Sequence, residues 1–321
     1  MIARRASIGA LLGAAVACGL SSIQPTPASA DALIAETAEP TPVSAYGETL
    51  AWSAYESGSY RLMVKAGADT KVVPTAPEPR AFDASVGLDQ SKLPVVLFSR
   101  CHRYASDPSQ LLFAGAASGC RIYRYDVAGN TVLALPLGQR PGESLADPSQ
   151  WGSHVAVAAT SRRGHTRIAT IALPSRRRSL LPGGTLQHGL VSSLQIVGGR
   201  IAASWYAAHG LETEIVLDTL AGRREILEEG EQGTHSSPQI ANPTGSEFFD
   251  AGLAGEEAYW VEPGDPLIGT PAVVEFYNPL TQTSTLGEGV PDVFSVAPDG
   301  TALYYSTGSS AGGCPCAIFA R

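Results

Sequence analysis

Six short apolar segments recur along this chain about every fifty residues, and this repeat restricts the possible folds more than any other feature of the sequence. Short apolar runs bounded by turn residues are typical of β-strands buried on both faces. The first residues of successive runs are 45, 60, 46, 57 and 44 positions apart. The runs are LAWSAY (50–55), VVLFS (95–99), VAVAAT (155–160), IAASWY (201–206), AYWVE (258–262) and ALYYST (302–307).

Each apolar run is followed by a more alternating strand and is preceded by one further candidate strand, such as 82–86 or 190–197. A tight polar turn and a shorter strand usually come after the alternating strand. Four strands per unit at this period are typical of β-propeller blades. The high glycine and proline content (34 and 23 residues) and the low charged fraction of 16% agree with a turn-rich, all-β chain. A pair of β-sandwiches would not explain six units on one period. We therefore predict an all-β propeller of six four-stranded blades.

The segment FSVAPDGTALYYS (294–306) resembles the repeat of TolB-like, WD-type propellers, in which a Pro-Asp-Gly hairpin leads into an apolar strand. An Asp-Gly pair readily adopts the positive φ angles of a tight hairpin, which explains the motif physically. The other five units share the spacing but lack Pro-Asp-Gly. The resemblance implies a six-bladed fold with a binding or scaffold role, and it carries over no catalytic residue.

The last unit ends at Arg321 with only its third strand, so its outer edge needs a partner. Exposed strand edges promote aggregation, and propellers avoid them by joining both termini in one blade. We therefore expect residues 32–37 to supply the missing strand. Residues 31–45 are a linker or this ring-closing strand, and residues 46–321 form a single propeller domain.

Residues 1–30 have the pattern of a secretory signal peptide. Arg4 and Arg5 precede a short apolar run at 8–20, and Ala-Ser-Ala at 28–30 forms a small-residue cleavage pattern. The apolar run is too short to span a bilayer, and no later segment reaches eighteen apolar residues, so no transmembrane segment is expected. The sequence predicts an exported protein.

Two other export routes remain open. Residues 15–18 resemble a lipobox, in which Cys18 would become a lipid-anchored first residue. The Arg4-Arg5 pair resembles a twin-arginine signal. Each route places the protein outside the cell or in the cell envelope.

The charge of the chain makes nucleic acid an unexpected partner. The formal net charge is −8, and removal of Arg4 and Arg5 with the leader would make it −10. A negative protein repels phosphate backbones. The partner is therefore expected to be a protein or a small molecule of unknown identity.

Four cysteines besides Cys18 permit three disulfide pairings in an exported chain. Cys101 ends one apolar strand and Cys120 begins the next strand of the same unit, so we predict a Cys101–Cys120 disulfide. Cys314 and Cys316 are separated by one proline. A terminal structural disulfide, a redox or soft-metal role, and unpaired or intermolecular thiols are the alternatives there.

A ligand site is expected where the innermost strands approach the propeller axis, because loops on a rigid scaffold carry binding residues. No two histidines have the sequence spacing of metal ligands, and neither a metal nor another cofactor is predicted. The polar residues predicted near the axis are Asp83, Asp147, His188, His235, Ser236 and Asp292.

No local motif assigns a catalytic activity. The sequence GSSAG (308–312) has the spacing of a nucleophile elbow, but no helix can follow it and no later acid or base remains. The favoured function is an exported, non-enzymatic binding or scaffold protein. One alternative is a propeller enzyme of glycosidase or lyase type with a funnel site assembled across blades, which leaves no local motif. Another is a cell-surface lipoprotein of an envelope complex.

Overall fold

The chain folds into short β-strands that pair mainly with their sequence neighbours. A computed structural model describes residues 31–104, 117–181, 189–207, 212–231, 251–262, 271–290, 293–298, 302–307 and 316–321. Within these ranges there is no helix of the length and apolar character needed to cross a bilayer. The strands are β1 (Ala32–Thr37), β2 (Val43–Tyr46), β3 (Thr49–Glu56), β4 (Ser59–Ala66), β5 (Asp69–Val72), β6 (Ser85–Leu88), β7 (Pro94–Arg100), β8 (Arg103–Tyr104), β9 (Ala117–Ser118), β10 (Arg121–Asp126), β11 (Thr131–Ala134), β12 (Ser144–Trp151), β13 (His154–Thr160), β14 (Thr166–Ala172), β15 (Arg177–Leu180), β16 (Gly189–Val197), β17 (Arg200–Ala207), β18 (Glu212–Thr219), β19 (Arg224–Glu231), β20 (Ala251–Ala254), β21 (Glu257–Glu262), β22 (Ala272–Asn278), β23 (Thr283–Val290), β24 (Val293–Pro298), β25 (Leu303–Thr307) and β26 (Cys316–Ala320).

The sheets are antiparallel meanders of four strands. Four of them have the orders β2-β3-β4-β5, β16-β17-β18-β19, β20-β21-β22-β23 and β24-β25-β26-β1. An eight-stranded sheet has the order β11-β10-β7-β6-β12-β13-β14-β15, in which β6 and β12 meet through one parallel bridge, Leu88 to Trp151. A small pair, β8 and β9, lies outside these meanders.

The absence of a side chain at Gly87 explains the bridge between β6 and β12. A Cβ atom at this position would overlap the carbonyl oxygen of Gln150 in β12. Only glycine allows two backbones to approach this closely. The eight-stranded sheet is thus two meanders whose inner strands touch.

The inner strands of the meanders contact one another in a closed ring. β2 contacts β6, β6 contacts β12, and the contacts continue through β16, β20 and β24 back to β2. Four-stranded meanders arranged around an axis in this way form a β-propeller. The predicted all-β propeller fold is therefore confirmed.

The apolar core is divided into clusters that lie between neighbouring sheets. One cluster joins Ala146 and Ala156 of one sheet to Trp205 and Val216 of the next. The cluster that closes the ring includes Val43, Trp52, Ala297 and Ile318. Complete burial of a large apolar side chain contributes about 1.5–3 kcal/mol, so each interface between sheets is a separate source of stability.

Burial along the strands follows their distance from the axis. In β7 and β13 the central residues are buried on both faces, as the apolar runs predict. The outer strands β5, β11 and β15 are short and mostly exposed. Short polar edge strands reduce edge-to-edge association.

Side-chain oxygens of one inner strand accept hydrogen bonds from backbone amides of the next inner strand. These bonds satisfy buried N–H groups that no strand pairing within the sheet satisfies. Within the described ranges they run from Val43 N to Ser295 Oγ (3.0 Å), Val86 N to Ser44 Oγ (2.9 Å), Ile196 N to Ser149 Oγ (3.1 Å), Ala251 N to Ser193 Oγ (3.0 Å) and Leu253 N to Gln195 Oε1 (2.6 Å).

The two ends of the described chain meet in one sheet. β1 pairs with β26 in an antiparallel register. Beside this pair, Arg321 Nε and Nη2 donate to Asp31 Oδ1 and Oδ2 at 2.7 and 2.9 Å, and Tyr305 OH donates to Asp31 Oδ2 at 2.6 Å. Arg–carboxylate pairs with two parallel bonds are among the stronger polar contacts in proteins.

A disulfide joins Cys101 to Cys120, at the ends of the paired strands β7 and β10. This is the pairing that the sequence predicts. Cys316 is also disulfide-bonded and buried. Cys314 and Cys18 lie outside the described residues.

We expect Ser149→Ala to weaken the contact between neighbouring sheets. The change leaves the buried N–H of Ile196 without its acceptor, which costs about 1–3 kcal/mol. Urea unfolding should show this decrease in the free energy of unfolding. Ser175→Ala, which removes an exposed hydroxyl, is the control and should change it by less than about 0.5 kcal/mol.

We expect the Asp31 contacts to stabilise the protein in a pH-dependent way. Hydrogen bonds from Arg321 and then Tyr305 lower the pKa of Asp31 to about 2. The stabilisation is therefore present above about pH 4 and is lost as the pH falls towards 2.

Thermal melts of the wild type and Asp31→Asn test this expectation. The wild type should be more stable by about 1 kcal/mol at neutral pH, a small value because both side chains are about a quarter exposed (24% and 25%). The difference should shrink below pH 4, whereas the exposed-site control Asp69→Asn should show no such change. A difference that is constant with pH would contradict the assignment.

Candidate functional site

A cavity of about 110 Å³ lies where the inner strands converge; we call it the axial cavity. Its wall contains residues from, or directly beside, the inner strand of every meander. Such convergence brings together side chains that are far apart in sequence. The wall is formed by residues 42–44, 80–85, 147–148 and 193–195, with Ala251, Tyr259 and Ser295.

Asp83 lies in the segment before β6, and both of its carboxyl oxygens accept hydrogen bonds from other residues of the protein. Ser99 donates to it twice, from N to Oδ1 at 2.7 Å and from Oγ to Oδ2 at 2.6 Å. Asp147 N donates to Oδ2 at 2.8 Å. These three hydrogen bonds hold the carboxyl of Asp83 in one orientation.

Asp147 lies at a bulge in β12, where the register with β13 shifts between Ala146 and Ser149. Its φ angle is 45°, in the left-handed region, which aspartate tolerates better than most residues. The bulge and Pro148 interrupt the regular strand. This local backbone conformation places residue 147 on the cavity wall.

The carboxyl group of Asp147 is in an unfavourable environment for a charge. Its Oδ2 atom is buried and has no hydrogen-bond partner among the described residues. Burial raises the pKa of Asp147 well above its usual value, the neighbouring Asp83 raises the pKa further, and Arg80 opposes both effects. Asp147 is therefore a carboxyl group that retains its proton at higher pH than an ordinary aspartate.

Arg80 supplies a buried positive charge to the axial cavity. Its side chain is 7% exposed, and its Nη2 lies 3.6 Å from Cys101 Sγ of the disulfide. An arginine keeps its charge in proteins, so it balances one of the two carboxylates but not both. With Asp83 and Asp147 both ionised, these three residues would carry one net negative charge.

The predicted axial residues divide into two groups. Asp83 and Asp147 are more than sixty residues apart in sequence, and the structure brings them into hydrogen-bond contact at one cavity. The remaining four lie outside the described residues: His188, His235, Ser236 and Asp292. Among the described residues, no group of three or more His, Cys, Asp or Glu side chains is placed to hold a metal ion.

Comparison with solved structures finds chains of low sequence identity that match most of this chain. The chain is similar to the structure of a nidogen/laminin complex, with 14% identity, a TM-score of 0.47, and coverage of 83% of this chain and 85% of that one. For TolB from Acinetobacter baumannii the identity is 13%, the TM-score 0.49 and the coverage 86% and 64%. For an oligogalacturonate lyase in complex with manganese the identity is 12% and the TM-score 0.46, and the match covers 85% of this chain and 73% of that one.

At these identities the likeness concerns the fold alone. No protein-family model matches the chain, and no curated protein does.

Sequence reasoning did not identify Arg80 or the side-chain acceptors of the inner strands. One signal was available for two of the acceptors, since Ser44 and Ser149 each stand three residues before a turn glycine, Gly47 and Gly152. The side chain at this position points out of its own sheet and towards the neighbouring sheet. No comparable pattern marks Arg80, because its role depends on Asp83 and Asp147 being nearby.

We expect Asp147→Asn to stabilise the protein at neutral pH. A carboxyl whose folded pKa is raised makes folding less favourable once the pH exceeds its unfolded pKa of about 3.9. Asparagine does not titrate and also tolerates a positive φ. Thermal melts should therefore show a higher Tm for the variant at pH ~7 and no difference below pH ~4. Destabilisation at every pH would contradict the account of Asp147.

Proposed function

We propose that the protein is an exported, non-enzymatic binding propeller whose axial cavity binds a cationic group of its ligand. One observation carries this proposal: a buried carboxyl oxygen of Asp147 has no hydrogen-bond partner among the described residues and lies beside a second carboxyl. Buried polar atoms in proteins nearly always have partners, and a ligand N–H group in the cavity would supply one for this oxygen.

The charge balance of the axial cavity favours a single positive charge on the ligand. Arg80 compensates for one carboxylate, and a proton on Asp147 compensates for the other. An ammonium or guanidinium group can replace that proton and donate hydrogen bonds to Oδ2. Ligand binding would then release a proton, so affinity should rise with pH until Asp147 is ionised in the free protein.

We also propose that the propeller has six blades and that its N-terminal strand closes the ring. We take the two halves of the eight-stranded sheet as separate blades, which with the four other sheets gives six blades. Residues 46–321 then form one propeller domain together with β2, and residues 32–37 close the ring. The pairing of β1 with β26 supports this arrangement.

Export is proposed from residues 1–30, with cleavage after Ala30. The contacts of Asp31 with Arg321 and Tyr305 support this position, because cleavage there retains the whole closing strand. The mass of the mature N-terminus tests it: a chain beginning at Asp31 agrees with the proposal. A chain beginning at lipidated Cys18 would instead support a cell-surface lipoprotein.

Isothermal titration with methylammonium tests cation binding in the axial cavity. We expect saturable binding that strengthens as the pH rises and releases a proton, which buffers of different ionisation enthalpy will reveal. Tetramethylammonium carries the same charge without N–H donors and should bind at least about fivefold more weakly. Asp147→Asn should abolish binding, whereas the matched control Asp69→Asn, which removes an equally negative charge on β5, should not. No saturable binding, or equal binding by Asp147→Asn, would contradict the proposal.

A propeller enzyme of glycosidase or lyase type is the second candidate, and the raised pKa of Asp147 favours it. Neighbouring carboxyl groups with different proton affinities are the arrangement used for acid and base steps. Incubation with neutral and acidic oligosaccharides, followed by measurement of new reducing ends, distinguishes the two. Turnover that disappears in Asp147→Asn would replace the non-enzymatic proposal, whereas no turnover would support it.

A further inference from the structure

A second cavity, of about 360 Å³, lies between the meanders β6-β7-β10-β11 and β12-β13-β14-β15. Its wall comes from β10, the segment after β11, β12, and the turns that follow β6 and β14. It shares no lining residue with the axial cavity. We call it the interblade cavity.

Two arginines give the interblade cavity a positive charge. Among the described residues, neither Arg124 nor Arg176 has a carboxylate within salt-bridge distance. The one carboxyl in the wall belongs to Asp89, whose Oδ1 accepts hydrogen bonds from the backbone N–H groups of Ser91 and Leu93. In a chain of net charge −8, this local excess of positive charge favours an anion.

Gln150 adds an unsatisfied acceptor to the same wall. The residue is 1% exposed, and its Nε2 donates to Gly152 O at 3.0 Å. Its Oε1 is buried and has no hydrogen-bond partner among the described residues. Since an amide oxygen only accepts, the missing partner must be a hydrogen-bond donor.

Apolar groups complete the wall. Leu135, Leu173 and Pro174 lie between the polar positions. An anion with a carbon skeleton can contact these groups, whereas a bare inorganic ion cannot. Guanidinium groups match the planar geometry of a carboxylate, with which they form paired hydrogen bonds.

We propose that the interblade cavity binds a small organic carboxylate that carries a neighbouring hydroxyl or amino group. Arg124 and Arg176 bind the carboxylate, and the neighbouring donor bonds to Gln150 Oε1. This site is independent of the axial cavity and of the cation-binding function proposed for it.

Isothermal titration with lactate and propionate at fixed ionic strength tests the proposal. The two anions have the same carboxylate and chain length, but only lactate has the hydroxyl donor. We expect saturable binding of lactate, with propionate weaker by about fivefold or more. Inorganic phosphate, which has no carbon skeleton, should bind more weakly than lactate.

Substitutions in the wall of the interblade cavity test which side chains contact lactate. Arg124→Gln and Arg176→Gln should each weaken lactate binding about tenfold, as loss of one charged hydrogen bond does. Arg121→Gln, on the same strand but outside the cavity wall, is the control and should bind like the wild type. Gln150→Met should reduce lactate affinity to that of propionate and leave propionate unchanged.

Three results would overturn the proposal. They are the absence of saturable lactate binding by the wild type, tighter binding of phosphate than of lactate, and unchanged binding in both arginine variants. Equal affinities of the wild type for lactate and propionate would refute the role of Gln150, and this comparison needs no variant. Methylammonium binding is measured in a separate titration, so a negative result with lactate would not count against the cation-binding proposal for the axial cavity.

Discussion

The packing of each sheet against the next is the interaction on which the rest of this structure depends. A four-stranded meander with buried residues on both faces cannot fold alone, because each face needs an apolar neighbour. The clusters between sheets supply those neighbours all the way around the ring, including the cluster that joins Trp52 to Ile318. The pairing of β1 with β26 follows from the same requirement, since an unclosed ring would leave one strand edge exposed.

The ring also determines the chemistry of its centre. Inner strands that converge on an axis bring backbone N–H groups to a place where sheet pairing cannot satisfy them all. Hydroxyl and amide side chains such as Ser149 and Gln195 satisfy several of these groups and hold neighbouring sheets together. The polar residues at the axis are therefore mainly structural, and Asp147 differs from them because its Oδ2 has no partner among the described residues.

The two cavities have opposite electrostatic character, and each includes residues of a bulge or of turns. At the axial cavity, the bulge at Asp147 in β12 leaves two carboxyls facing one arginine. At the interblade cavity, the turns after β6 and β14 supply Asp89 and Arg176, and the paired strand β10 supplies Arg124. The axial cavity therefore depends on a break in strand pairing, whereas the interblade cavity combines turn residues with side chains of paired strands.

The sequence by itself determined the strands, their grouping in fours and the Cys101–Cys120 disulfide, because a repeat period and alternating burial are local properties of a chain. It also indicated that Asp83 and Asp147 lie near the axis. The tertiary structure alone decided that the backbone N–H of Asp147 donates to the carboxyl of Asp83, that Arg80 lines the same cavity, and that Gln150 shares a cavity with Arg124 and Arg176. Contacts between sheets depend on how blades pack around the ring, and hydrogen bonding and pKa depend on those contacts, so no spacing within one repeat encodes them.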